Sequence, residues 1–219
     1  MPIHYYIDSA VQPVVEELLA TGLFSGVTTN PAILDKAGLT SADIPDLIRW
    51  TTSAGAQRVF VQVWGESAAE MVALGHRFRE MSPQVVIKVP YSPAAIEVAR
   101  ELTRDGEVLV TAVHDSPQVL PVVLADATFL APFIGRMDQA GRNGVESALS
   151  IQSALVGLGA DTQVLAGSLR TPEQVLRLAQ AGVRHFTMGP AVWQAFFEDE
   201  VTETAVISFQ ELASQPSVS

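Results

Sequence analysis

Val85-Val86-Ile87-Lys88-Val89-Pro90 is a run of β-branched apolar residues closed by a proline, with one lysine set inside it. Period-2 alternation is missing, so the run reads as a strand buried on both faces, the pattern of a parallel sheet covered by helices. An ammonium is costly in such a place. The chain has thirteen basic residues, of which only Lys36 and Lys88 are lysines. Lys36 reads as part of a polar turn, where a solvated charge costs nothing, so Lys88 is the anomaly. Burial disfavours the charged form of a lysine, and a neutral amine on a rigid strand is what Schiff-base chemistry with a ketone requires. The alternative is an edge-strand lysine whose stem carries its charge out to water.

Outward from this run, strand and helix alternate along the whole chain. Strands are predicted at residues 3–8, 24–28, 58–64, 85–89, 107–113, 127–131, 163–166 and 185–188. Helices are predicted at 11–19, with Ser9 as a cap, and at 41–54, 67–81, 93–102, 116–124 and 175–181, with another from a polar loop at 135–144 through Leu155. Two closing helical stretches, 191–197 and about 202–213, precede a tail at 214–219 read as frayed. Eight short strand–helix units predict a single α/β domain over residues 1–219, a (β/α)8 TIM barrel with an additional C-terminal helix. A doubly wound open sheet is the second choice.

At 219 residues and 48% hydrophobic content the chain can bury a sizeable core. Its apolar segments are too broken to span a bilayer. A formal charge of −11 excludes the basic footprint of a nucleic-acid binder, so no nucleic-acid and no membrane partner is expected. The absence of cysteine and of a basic then apolar leader makes a cytoplasmic address the expectation. The four histidines, His4, His76, His114 and His185, are scattered without ligand spacing, so no metal is expected.

Chemistry in such barrels sits at the carboxyl ends of the strands. Asp8, Thr28, Asn30, Gln62, Lys88, Thr111, Arg136, Ser168 and Arg170 all fall on or just after those ends. Each has a bland alternative: Asp8 a helix cap, Asn30 a pre-proline turn, Thr111 an ordinary strand residue, Ser168 a loop hydroxyl. Their convergence on one mouth around one buried lysine is the argument for a site.

The runs Tyr6-Ile7-Asp8-Ser9, Gly26-Val27-Thr28-Thr29-Asn30-Pro31, Val86-Ile87-Lys88-Val89-Pro90, Val110-Thr111-Ala112-Val113, Ala131-Pro132-Phe133-Ile134-Gly135-Arg136-Met137-Asp138 and Leu165-Ala166-Gly167-Ser168 occur in this order over nearly the whole chain. Together they resemble the small transaldolase and fructose-6-phosphate aldolase family. The resemblance implies a class I enzyme acting on a sugar phosphate and an aldehyde, with Lys88 forming the imine and Asp8 moving the proton of the C4 hydroxyl. Thr111 and Gln62 would hold a catalytic water, Asn30 and Ser168 the dihydroxyacetone hydroxyls, with Thr28 on the same wall. Arg136 and Arg170 would bind the terminal phosphate. It also implies no cofactor, and a homo-oligomer, a pentamer or decamer, often built through the terminal helix.

The match departs from the family at two positions. Transaldolases typically carry glutamate where this chain has Gln62, with phenylalanine at Phe133; the fructose-6-phosphate aldolases typically pair glutamine with tyrosine. Neither Gln62 nor Phe133 can supply a proton, so Asp8 does more of that work, His114 assists, or turnover is slow. Phe133 and Arg170 favour transfer over release of free dihydroxyacetone. A barrel that binds a sugar phosphate without turnover is the reading from another class, and the buried Lys88 argues against it.

Overall fold

The computed structural model describes residues 2–214 of the chain. Eight strands, β1 (His4–Asp8), β2 (Phe24–Thr28), β3 (Arg58–Gln62), β4 (Val85–Pro90), β5 (Val108–Val113), β6 (Phe129–Pro132), β7 (Gln163–Ala166) and β8 (His185–Met188), pair in chain order. All pairs are parallel, and β1 returns to pair with β8 through His4–His185 to Ile7–Met188, which closes a TIM barrel. That closure rules out the open doubly wound sheet. It also leaves β4 without a free edge, so Lys88 has no edge along which to reach water.

Helices cover the outside: α1 (Gln12–Ala20), α2 (Pro31–Lys36), α3 (Ile44–Ser53), α4 (Ala68–Met81), α5 (Pro93–Leu102), α6 (Val119–Leu124), α7 (Ile134–Gln139), α8 (Gly144–Leu158), α9 (Pro172–Gln180), α10 (Pro190–Gln194) and α11 (Glu200–Ala213). Two of them correct the sequence reading. The polar turn expected around Lys36 is the last turn of α2, because Asn30 Oδ1 accepts the Ile33 amide and Pro31 pre-sets the first helical residue. The loop expected at 135–144 contains α7, held by the buried pair Ile134 and Met137 at helical spacing and by the Gly144 amide donating to Asp138 Oδ1. Ser9 does not cap α1: it accepts the amide of Val11, and the helix starts at Gln12. Of the expected frayed tail, residues 215–219 lie outside the described residues.

Two apolar layers result. The larger lies between barrel and helices, with Val27, Val59, Ile87 and Val110 pointing outward onto Leu47, Val98 and Leu102 among others. The smaller fills the barrel: Tyr6, Phe60, Val86, Leu109, Phe129, Ala131 and Leu165, with Phe133 packed on it. Side chains alternate along a strand, so the next inward position beyond this plug lies one layer nearer the carboxyl ends. Tyr6 is followed by Asp8, Val86 by Lys88, and Leu109 by Thr111. The floor of the site is therefore the roof of the inner core.

At the opposite end a polar network closes the barrel. Tyr6 Oη bonds His185 Nδ1 at 3.0 Å, His185 Nε2 bonds Gln163 Oε1 at 2.6 Å, and Arg58 holds Glu107 in a two-point pair at 2.6 and 2.8 Å. The His4 ring stacks on His185 with centroids 4.7 Å apart.

Candidate active site

At the carboxyl ends of the strands a cavity of about 130 Å³ is lined by Asp8, Thr28, Asn30, Lys88, Thr111, Phe133, Arg136, Ser168 and Arg170, so nine of the ten expected site residues meet there. Gln62 does not line it. Although Gln62 lies in register with Lys88 on the neighbouring strand, it lines an adjoining cavity of about 410 Å³ with Trp64, Leu34 and Ile44, which touches the first at Asn30.

Lys88 is 4% exposed, and its ammonium donates to the Thr29 carbonyl at 2.8 Å. That carbonyl is fixed because the Thr29 amide and hydroxyl both bond to Phe60 O on β3, at 3.1 and 3.0 Å. Among the described residues no carboxylate lies within ion-pair distance of Lys88. Burial pulls its pKa down to about 8, the Asp8 carboxylate opposing and Arg136 adding to the fall. A lysine at that value is neutral in about a tenth of molecules at pH 7.

Asp8 moves the other way. Burial raises its pKa above the ordinary carboxylate range, with Lys88, the Thr28 hydroxyl, Arg170 and Lys36 each pulling back. The Thr28 hydroxyl donates to Asp8 Oδ1 at 2.7 Å, across a pair of residues in direct register between β1 and β2. Its one hydrogen is thereby used, so its contact with Thr187 Oγ1 must be donated by Thr187. The chain Thr187 to Thr28 to Asp8 fixes the carboxylate's orientation. Thr187 and Thr29 are functional neighbours that the sequence reading does not single out. Thr187 sits at an inward position of β8 that strand alternation alone could have flagged.

Thr111 Oγ1 is buried with no hydrogen-bond partner, one of two such side-chain atoms among the described residues, the other being Arg79 Nε. Unpartnered buried hydroxyls are uncommon, and this one lines the cavity. The residue after it, Ala112, has φ 61°, and the β5–β6 register skips from Thr111–Ala131 to Val113–Pro132. This bulge ends the regular pairing at Thr111. Ser168 likewise has φ 58°, and its carbonyl accepts the Gly135 amide at 2.8 Å. Gly135 has to be glycine: a Cβ there would lie 2.5 Å from Ser168 O and 3.0 Å from Arg170 Nε. The α7 start and the Arg170 side chain can therefore pack together at the rim.

Phe133 caps the inner core from above. Arg136 lies over its ring at 5.4 Å, and His114 meets its edge at 6.0 Å. His114 is half-buried at the entry to the turn before α6, its amide donating to Gln118 Oε1, and burial with Arg142 and Arg136 lowers its pKa. It does not line the cavity.

Residues 5–217 match the sequence profile of the Transaldolase/Fructose-6-phosphate aldolase family. This chain belongs to that family. A probable transaldolase of Phenylobacterium zucineum is 32% identical over 209 residues, covering 93% of both chains. One from Cereibacter sphaeroides is 32% identical over 206 residues, covering 94% of this chain and 93% of the relative. A third, from Geobacillus kaustophilus, is 30% identical over 206 residues, covering 94% and 95%. Among solved structures, a mandelate oxidase mutant with a monooxide FMN adduct superposes with a TM-score of 0.59 at 17% identity, over 88% of this chain and 65% of its own length. That likeness carries the barrel and nothing of the chemistry. The cavity described above lies on the carboxyl side of the strands, the end at which (β/α)8 barrels in general carry their chemistry.

Proposed function

We propose that this family member is a class I transaldolase, moving a dihydroxyacetone unit from a ketose phosphate of the fructose 6-phosphate type to an aldehyde acceptor. The observation that carries the reading is Lys88, an amine sealed inside the barrel with its pKa brought down towards neutrality, sharing a cavity with Asp8.

In this reading the neutral amine of Lys88 attacks the C2 carbonyl of the ketose, and the resulting carbinolamine loses water to give a protonated imine. Asp8 takes the proton of the C4 hydroxyl. The C3–C4 electron pair then moves into the imine, an aldehyde leaves, and an enamine of dihydroxyacetone stays on Lys88. Addition of the enamine to the acceptor aldehyde runs these steps backwards. Asp8 returns its proton to the new C4 oxygen, and water releases the product ketose. The raised pKa of Asp8 suits a group that must hold the proton between the two halves. The unpartnered Thr111 hydroxyl suits a water serving the dehydration and hydrolysis steps.

Asn30 and Ser168 are assigned to the dihydroxyacetone hydroxyls. Asn30 commits one amide oxygen lone pair to capping α2, which leaves its NH₂ for a ligand. Phe133 offers no hydroxyl near the imine, which favours transfer over hydrolysis. Gln62 favours a second reading, a fructose-6-phosphate aldolase that releases free dihydroxyacetone, since glutamine there resembles that branch of the family. The α11 helix leaves Val201, Ile207, Phe209 and Leu212 exposed, which supports assembly into the ring of five or ten chains that the family resemblance implies.

Borohydride reduction with fructose 6-phosphate tests the chemistry: a stable adduct on Lys88 is expected, and its absence would leave only a sugar-phosphate-binding barrel. Dihydroxyacetone released at a rate indifferent to added acceptor would move the assignment to the aldolase.

A further inference from the structure

Strand β8 turns two side chains into the barrel: His185, which joins the network at the closed end, and Thr187, which lines the cavity around Lys88. Inward positions of such barrels are mostly filled by branched apolar residues, and valine has nearly the shape of threonine, so the hydroxyl of Thr187 calls for a reason. Thr187 is 6% exposed and Thr28 1%. Strand β1 runs between β2 and β8, so Thr28 and Thr187 reach each other across the strand that carries Asp8, and their hydroxyls meet inside the barrel. The methyl group of Thr187 faces Gly167, where an added Cβ would lie 3.4 Å from Thr187 Cγ2. A β-branched side chain has few rotamers, so the recess at Gly167 that takes the methyl leaves the hydroxyl turned to Thr28.

Thr28 has one hydrogen and two acceptors within reach, Asp8 Oδ1 and Thr187 Oγ1. When Thr187 donates, the competition ends and the hydrogen stays on Asp8. Among the described residues the Asp8 carboxylate accepts one hydrogen bond, at Oδ1, which leaves Oδ2 for a ligand in the cavity. We propose that Thr187 is a positioning residue for Asp8: its hydroxyl keeps the Thr28 hydrogen on Oδ1, so that Oδ2 is the oxygen that takes the proton of the C4 hydroxyl. This rests on the class I reading for the identity of that proton. The device works through Thr28 and adds no contact to the sugar, so its loss is felt in the cleavage step rather than in binding.

Thr187→Val and Thr187→Ser test it through kcat and KM for fructose 6-phosphate at fixed acceptor aldehyde, the pH profile of kcat, and the titration of the Asp8 carboxyl followed by carbon NMR in the unliganded chain. In Thr187→Val, kcat is expected to fall about tenfold with KM within about twofold. The acid limb of kcat and the Asp8 titration should both move up by about half a unit, because the ionised carboxyl loses part of its hydrogen-bond support. Lys88 on β4, Lys36 on α2 and Arg170 ahead of α9 also act on Asp8 and are the same in every variant, so a difference between variants reports the hydroxyl. Thr187→Ser, which keeps the hydroxyl, should recover most of the rate and the wild-type titration. An unmoved Asp8 titration in Thr187→Val, an equal loss in both variants, or a rise in KM at constant kcat would overturn the proposal. Circular dichroism of each variant checks that the barrel is intact. Borohydride trapping separates the two readings. A titration that shifts in Thr187→Val alone, without any wild-type adduct, would sink the Schiff base and keep Thr187 as the group that orients Asp8, whereas an adduct with an unshifted titration would do the reverse.

Discussion

The folded pKa of Lys88, about 8, lies below the 10.5 of a free lysine, so between those values the unfolded chain binds more protons and stability rises with pH. Below pH 8 the penalty of burying the ammonium is present in full, on the order of 3 kcal/mol. Lys88→Met keeps the length of the side chain without the charge, and is expected to abolish the borohydride adduct while raising the melting temperature at pH 7 by a few degrees. An unchanged or lowered melting point would mean that the bond to the Thr29 carbonyl outweighs desolvation. In the wild type, the rate of adduct formation should climb with pH and level off above about 8 as the amine becomes neutral. Phe133→Tyr places a phenol over the same cavity, and the ratio of hydrolysed to transferred product should rise; a constant ratio would detach Phe133 from the choice between the two outcomes.

At the level of elements, the site depends on backbone departures as much as on side chains. Ala112 occupies the left-handed region without being glycine, and the bulge it makes ends the β5–β6 ladder just beyond Thr111. Ala112→Gly should be neutral or stabilising by up to about 1 kcal/mol, and Ala112→Val destabilising by about 1–2 kcal/mol, both measurable by denaturant titration. Such features are what the sequence hides. Lys88 is legible because a charge inside an apolar run has no bland place in a barrel without edges, and the eight strands are legible from their short β-branched runs. Lys36 is misread from sequence because Asn30-Pro31 looks like a turn, whereas the asparagine caps a helix that the proline begins. Helix α7 escapes the sequence reading because Gly135 and Gly141 suggest a loop, yet Gly135 is there to let Ser168 and Arg170 pack against the first turn. Gln62 has the right strand and the right register, and still lines the neighbouring cavity; which of two adjoining cavities a side chain lines is not encoded in spacing.

For the whole molecule, the two ends of the barrel divide the labour: ionisable groups with opposed pKa shifts at one, a satisfied hydrogen-bond network at the other. Burial, with His4 and Arg58 nearby, lowers the His185 pKa to about 4. Between pH 4 and 6.5 the unfolded chain therefore takes up a proton that the folded chain refuses, so stability falls as the pH drops through that window, by up to about 3 kcal/mol. His185→Gln should flatten the dependence of the denaturation midpoint on pH over this range, and an equally steep dependence would assign acid lability to other groups. Because every strand is hydrogen-bonded on both sides, including β1 with β8, the barrel presents no ragged ladder onto which a stray chain could zip. The adhesive surface lies instead on α11, whose phenylalanine, leucine and isoleucine side chains face water. Crowding or overproduction is thus expected to drive self-association through this helix, and a chain cut before Glu200 is expected to elute from a sizing column as a smaller species than the full chain.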